Sequence, residues 1–354
     1  MTFTRFSVAL IAAVAFCAGV MTQLHAPAPA HAQAQDRDRK TMIIGAFTSP
    51  DTPWDLNWQE VQAAFDANVD LGLDLELLVR GETGSSEERL NSLRRNRLQF
   101  VSSPIGSGAA MIPELAVLQL PFLFNSTAET DFVLDQYALP RFREMFAEKG
   151  IVLLRWTEAG SNHIFGDRPF LTPGDVKSFP MRVQTTKASS VYFEGLEADA
   201  VYMTANDTLQ ALQTGMIKGG EAVSLYYWMT GLYREAPHFT LTEHAIEPGS
   251  ILLNAGFWNS LTPAQQNLVS TAYPDSQRAR NRVREWITQV EADLPGLGVN
   301  LHRLTAAQRA AWRVDAQRSY PAILDSIGGT AEDIYALVRE GQAAYARQQQ
   351  DANQ

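Results

Sequence analysis

The sequence predicts an α/β protein of two domains, with helices layered on sheets. Three observations lead there. From Thr41 onward, short apolar runs of strand type alternate with capped stretches of helical periodicity. The chain has 354 residues, and beyond roughly 300 residues a single core usually gives way to two. Its one cysteine, Cys17, lies in an N-terminal apolar run, so burial rather than disulfide bonding must hold the fold together.

The N-terminus reads as an export signal over residues 1–32. Arg5 supplies the positive end, Phe6 to Val20 the apolar run, and Ala30-His31-Ala32 a small-x-small cleavage site. That run is shorter than the roughly 20 residues needed to span a bilayer. Cys17 would serve a lipoprotein signal, but bulky Phe16 precedes it, where a small residue is wanted. Cleavage predicts a periplasmic protein without cysteine. The net charge is −10, and loss of Arg5, the only charged side chain of the signal, makes it −11. With that balance and no Lys/Arg run, nucleic acid is not an expected partner. Residues 33–40 and the tail 342–354 are polar and expected to be disordered or frayed.

Thr41–Phe47 reads as a short buried strand, followed by a helix from about Asp55 with Leu56, Val61 and Phe65 turned inward. Leu73, Leu75 and Leu77 alternate with acids in a second strand. Ser85 and Glu88 form a capping box for a helix bearing Leu90 and Leu93, with Leu98 also inward. The next strand, 100–104, runs into Ile105-Gly-Ser-Gly-Ala109, which makes Ser103 a candidate ligand contact, because open α/β sheets bind ligands at strand ends. An ordinary glycine turn would look the same. The apolar run around LPFLF reads as core, and Gly150 to Trp156 as a strand leaving the first domain.

In Lys177–Ala222, alternation puts Phe179, Met181 and Val183 on one face of a strand, and Pro180, Arg182 and Gln184 on the other. A cation in mid-strand is costly to bury unless an anion meets it. A salt bridge to a protein carboxylate, a strand end reaching water, or a bound anion would each serve. Thr204 and Asp207 have capping spacing, with Asn206 a second cap candidate. Leu209, Leu212 and Met216 follow at helical spacing, with Gly215 as the stop.

Strand with arginine, helix, strand near Val201, then Ala211-Leu-Gln-Thr-Gly215 in a helix resembles the periplasmic solute-binding proteins of TRAP transporters, the C4-dicarboxylate-binding DctP type. The likeness runs from about Thr41 to Gly341. It implies a two-domain, type II-like binding-protein fold with crossing hinge strands and a long bracing helix. It further implies a small organic anion as ligand, membrane permease subunits as partners, a monomer and no cofactor. Arg182, in Pro180-Met-Arg-Val183, matches the arginine that grips the ligand carboxylate. Asn162 stands where relatives carry a second arginine, which removes a charge and disfavours a dicarboxylate. Ala222 replaces an asparagine, whereas Glu221 is kept. In some relatives a glutamate here joins a metal, but the tryptophan that accompanies it is absent. The plainer role for Glu221 is to hold Arg182 or a backbone amide in place. Tyr226, Thr185 and Trp156 complete the candidate ligand contacts, although aromatic clusters such as Tyr226-Tyr-Trp228 are more often core.

The remaining elements are a strand at 250–254, a Thr262/Gln265 capping box, a helix bearing Val283, Trp286, Ile287 and Val290 and split at Pro274, and helices opened by Thr305/Gln308 and Thr330/Asp333, the second bearing Ile334, Leu337 and Val338. Domain I is expected over 41–159 plus about 248–287, and domain II over 160–247 plus about 288–341. No catalytic motif stands out, and the histidines lack metal-ligand spacing, so an enzyme is not expected. His163 could be imagined as a general base, yet a lone histidine after a strand is more often structural. An ABC-type binding protein, a periplasmic sensor for a membrane kinase and a secreted hydrolase are the alternatives.

Overall fold

The computed structural model describes residues 39–352, so the export signal and most of the 33–40 linker lie outside the described residues. Among the described residues, nine strands form one mixed sheet in the order β2-β1-β3-β8-β4-β7-β5-β6, with β9 (Asn300–Arg303) beside β8. One end is parallel: β1 (Lys40–Gly45) lies between β2 (Leu73–Leu78) and β3 (Phe100–Pro104). The other end is parallel too, with β5 (Pro180–Val183) between β6 (Asp199–Tyr202) and β7 (Gly219–Val223). Two long antiparallel strands join them, β4 (Ile151–Gly166) and β8 (His238–Asn254).

The crossing strands are longer than the sequence suggested. Strand β4 continues ten residues past Trp156, and β8 begins twelve before Ser250. Their pairing absorbs residues that look like breakers, through register shifts at Leu153/Arg155, Glu158/Gly160 and Asn162/Ile164. Pro248 is tolerated because it pairs with Glu158 at the second shift, where the ladder is already interrupted. The boundaries expected near 159 and 248 therefore fall inside strands. Lys40 belongs to β1, paired with Leu73, rather than to a frayed linker.

Helices cover both faces. Helix α1 (Pro53–Asp66) starts at Thr52, whose hydroxyl accepts from the Asp55 amide. Trp58, Val61 and Phe65 bury its inner face, while Leu56 is only half-buried. Helix α2 (Ser86–Arg94) carries the predicted box: Ser85 Oγ accepts from Glu88 N at 3.2 Å, and Ser85 N donates to Glu88 Oε2 at 2.7 Å. Helix α3 (Thr127–Val133) passes through a π turn at Leu134–Ala138 into α4 (Leu139–Ala147). Helix α5 (Lys187–Gly195) follows β5, and α6 (Thr208–Gln213) ends before Gly215, whose φ of 74° is the left-handed cap expected of glycine. Two expectations in this region change. The Thr204 hydroxyl bonds the Asp207 carboxylate at 2.6 Å rather than capping a backbone amide. Met216 lies beyond the helix end and is 61% exposed.

After α7 (Ser224–Met229) and β8 come α8 (Ala255–Ser260), α9 (Pro263–Ala272) and α10 (Ser276–Asp293). Pro274 separates α9 from α10, and Asp275 caps the new start by accepting from Arg278 N at 2.9 Å. Helices α11 (Ala306–Ile327) and α12 (Ala331–Ala352) finish the chain. The tail expected to fray from 342 is helical to Ala352, because buried Gln342 donates to Leu123 O at 2.7 Å.

Three apolar clusters hold these layers. Met42, Ile44 and Phe100 pack on α1 and α9 with Leu268 and Val269. Leu153, Trp156, Met181 and Val183 pack on α4, α11 and α12 through Phe142, Trp312 and Val338. Phe165 and Phe239 pack with Leu225, Tyr227, Val283 and Val290. Met181 and Val183 thus bury one face of β5, which leaves Arg182 on the other.

Candidate ligand-binding cleft

Parallel strands in both ends of the sheet run toward one cleft, and their carboxyl ends line it. Ala46, Phe47 and Thr48 follow β1, and Ser103 and Pro104 close β3. Arg182 to Thr186 continue β5, Met203 to Asn206 follow β6, and Ala222 and Val223 end β7. The crossing strands supply Thr157, Glu158, Asn162, Glu247 and Gly249 as its floor. The cavity holds about 240 Å³, which suits a metabolite smaller than a typical drug-sized ligand. A larger groove of about 430 Å³, beside Arg313, Tyr320 and Arg339 on α11 and α12, lies outside this convergence of strand ends.

Arg182 is 8% exposed and has no carboxylate within ion-pair distance among the described residues. Its Nη1 donates to Glu221 O at 2.9 Å, and its Nε to Met203 O at 3.4 Å. Burial lowers the pKa of the guanidinium, and the nearby Glu221, Tyr226 and Glu247 oppose that shift. Its direct hydrogen-bond partners on the protein are carbonyl dipoles, and the acids act on it only from beyond ion-pair distance. Gly220, paired with Arg182 across the ladder, makes room for it: a Cβ there would sit 2.9 Å from both Arg182 Cβ and Arg182 O. Helix α5 begins just past Thr186, so its N-terminal dipole adds positive potential beside the same cavity.

Five of the seven candidate contacts line the cavity: Arg182, Asn162, Ser103, Thr185 and Tyr226. Tyr226 presents its ring, since its hydroxyl is engaged with Ala205 O at 2.7 Å. Two do not. Trp156 is fully buried in the core, donating to Leu134 O at 3.1 Å and meeting Phe142 edge-on at 5.7 Å. The register shift between Leu153 and Arg155 turns its ring to the same face as Leu153. The Glu221 carboxylate points away from the cleft into a void of about 10 Å³ behind it. There it accepts from the Ser189 hydroxyl, from Gln184 N at 2.8 Å, and bonds His244 Nε2 at 3.1 Å. Burial alone would raise its pKa, but the His244 contact and charge and the Arg182 charge outweigh burial and hold it below the usual range. Glu221 thus fixes the start of α5 and offers its backbone carbonyl, not its acid, to Arg182.

His163, considered as a general base, is buried against Phe239 and its pKa is lowered to about 3, chiefly by burial. Its Nδ1 accepts from Glu243 N at 3.1 Å. Among the described residues, no group of three or more histidine, cysteine or acidic side chains is arranged to hold a metal ion.

Sequence reasoning missed two buried ionisable groups that line the cavity. Arg89 on α2 is 3% exposed; it donates to Gly84 O and Ser86 Oγ, both at 2.7 Å, and its Nε has no partner. Glu247 on β8 is 6% exposed. Its Oε2 accepts from Gln119 Nε2 at 2.7 Å and Asn162 Nδ2 at 3.3 Å, and its Oε1 meets only Gly106 N, at 3.5 Å. Asn162 in turn accepts from Gln184 Nε2 at 3.1 Å, which ties the floor to β5. The sequence signal for Glu247 was hidden in Glu-Pro-Gly, which reads as a turn.

Burial pushes the Glu247 carboxyl up to about 7; the Glu221 charge adds to this, while the bonds from Asn162, Gly106 and Gln119 oppose it. A folded-state pKa raised from 4.5 to about 7 makes stability fall as pH rises through that interval. The other charged groups around this cavity are Arg182, Arg89, Glu87 and Glu158, with Glu221 and His244 behind it. Glu247→Gln keeps the shape and removes the titration. It should gain about 2–3 kcal/mol over wild type on going from pH 5 to pH 8. Urea unfolding of both proteins at the two pH values measures this, and a pH-independent difference would contradict it.

The model of the family described as bacterial extracellular solute-binding protein, family 7 (DctP) matches residues 44–326. The chain belongs to this family. The family is one of extracellular solute-binding proteins. It is 27% identical over 203 residues to a solute-binding protein of Chromohalobacter salexigens, which covers 57% of this chain and 60% of that protein. This match therefore spans less than two thirds of the relative. The C4-dicarboxylate-binding periplasmic protein DctP of Rhodobacter capsulatus is 22% identical over 292 residues, 82% of this chain and 87% of its own. Among solved structures, the sugar acid binding protein DctPAm of Advenella mimigardefordensis, in complex with galactonate, superposes with a TM-score of 0.79. Identity there is 21%, covering 86% of this chain and 99% of the other, which establishes the shared two-domain α/β fold.

Proposed function

We propose that this protein is the periplasmic solute-binding subunit of a TRAP transporter, and that it captures a small organic acid for delivery to the membrane permease subunits. The observation that carries this reading is Arg182: a buried guanidinium in the cleft, held by carbonyls, with no carboxylate within ion-pair distance among the described residues. A ligand carboxylate would complete it through charge-assisted hydrogen bonds. Asn162, Thr185, Ser103 and the Tyr226 ring are the proposed neighbours of the ligand, with Arg89 facing from the opposite lobe. The named relatives support the class, since one is described as binding C4-dicarboxylates and the other as holding galactonate. Neutral Asn162 provides hydrogen bonds without a second positive charge, so a single carboxylate fits better than two.

Ligand contacts with both lobes would favour a closed form, which the permease then recognises. A thermal-shift screen of organic acids followed by calorimetry tests the binding step. Monocarboxylates should raise the melting temperature while their amides do not, and equal responses from the neutral amides would reject the reading. Uptake of the best ligand should also require coexpression of the neighbouring permease genes.

A further inference from the structure

We infer that the ligand is a zwitterion, whose carboxylate meets Arg182 while a cationic nitrogen meets Glu247. The inference rests on the reading of the cleft as a carboxylate-binding site and narrows its ligand class. Arg182 needs an anion, and in the same cavity Glu247 needs the opposite. Its Oε2 takes both amide donors, from Gln119 and Asn162, whereas Oε1 has only the long 3.5 Å contact to Gly106 N. No arginine, lysine or histidine among the described residues lies within ion-pair distance of this carboxylate.

A hydroxyl on the ligand could complete the hydrogen bonding of Oε1, but it leaves the buried charge uncompensated. A cationic nitrogen does both. The surroundings favour the cation as well. Glu221 lies near enough to oppose ionisation of Glu247, a repulsion that a bound cation would relieve. The rings of Phe47, Trp54 and Tyr226 line the same cavity, and aromatic faces attract cations. The separation is short. Arg182 and Gln184 lie two positions apart along an extended chain, about 7 Å. Gln184 connects through Asn162 to Glu247 by bonds of 3.1 and 3.3 Å. A compact molecule could therefore touch both charges.

The test uses matched probes: β-alanine, 4-aminobutyrate, 5-aminovalerate and L-proline, each against its hydroxy or plain-acid counterpart of the same skeleton. Calorimetry on the mature wild-type protein at pH 8 should find at least one amino compound bound ten-fold or more tightly than its counterpart. In E247Q that preference should fall at least ten-fold, while E247D, which keeps the charge, should retain its direction. Melting of each variant checks its fold. Plain or hydroxy acids that bind as well as their amino partners, an unchanged preference in E247Q, or no binding by any zwitterion of the panel would overturn the inference. If plain acids alone bind and need Arg182, only the inference falls. If no carboxylate of either kind binds, the carboxylate reading falls with it.

Discussion

Arg182→Ala is expected to weaken binding of the cognate carboxylate by about 30- to 1,000-fold, with little change in the stability of the ligand-free protein. The ligand effect follows from removing one partner of a buried charge-assisted pair, which costs about 2–4 kcal/mol. The stability effect is small for a separate reason. Without ligand, Arg182 bonds only the carbonyls of Glu221 and Met203, so its loss forfeits those bonds and the attraction of the Glu221 charge, while relieving the desolvation of a buried cation that offsets them. Titration calorimetry and melting of the same preparation separate the two quantities. A folded variant with near-native affinity would show that the carboxylate goes elsewhere in the cleft.

Arg280→Ala should be the most destabilising of the substitutions considered, by about 3–5 kcal/mol. Arg280 on α10 is fully buried and grips Asp135 with both terminal nitrogens at 2.8 Å, with Asp131 at 3.2 Å. Asp131 is shared with Arg284, bonded at 2.7 and 2.8 Å, and Arg284 also holds Glu158 on β4. The cluster thus pins the bracing helix to α3, to the π turn carrying Asp135, and to the crossing strand. Alanine would leave Asp135 and Asp131 facing a cavity with one fewer cation. Urea denaturation gives the comparison, and a loss below 1 kcal/mol would mean that Arg284 alone carries the cluster. Because Glu158 also lines the ligand cleft, the melting temperature gained on adding ligand should fall in this variant too.

The groups behind these effects differ in how readily the sequence reveals them. Arg182 was legible because strand alternation is local: Met181 and Val183 are apolar, so the side chain between them must face the other way. The Ser85, Thr262 and Thr305 capping boxes were legible for the same reason, each being closed within four residues. So was the break at Pro274, since a missing N–H acts wherever the proline lies. Trp156 was misplaced because its face depended on a register shift two residues before it, which pairing with β8 sets. Glu221 was expected either at the ligand or as a support, and the direction of its carboxylate is set by Ser189 and His244 on other elements.

The sequence by itself determined the alternating α/β order, the helix starts and stops, and the presence of one arginine on the open face of a strand, because these follow from interactions a few residues long. Only the tertiary structure decided that β4 and β8 cross as continuous strands through glycine and proline, since their mutual ladder pairs residues from 72 (Gly166 with His238) to 103 (Ile151 with Asn254) positions apart. The same holds for the charge pattern of the cleft. Gln119 lies 128 positions from Glu247, and Asn162 lies 85. Burial and pairing of a charge are properties of its surroundings, and those exist only once distant segments have packed.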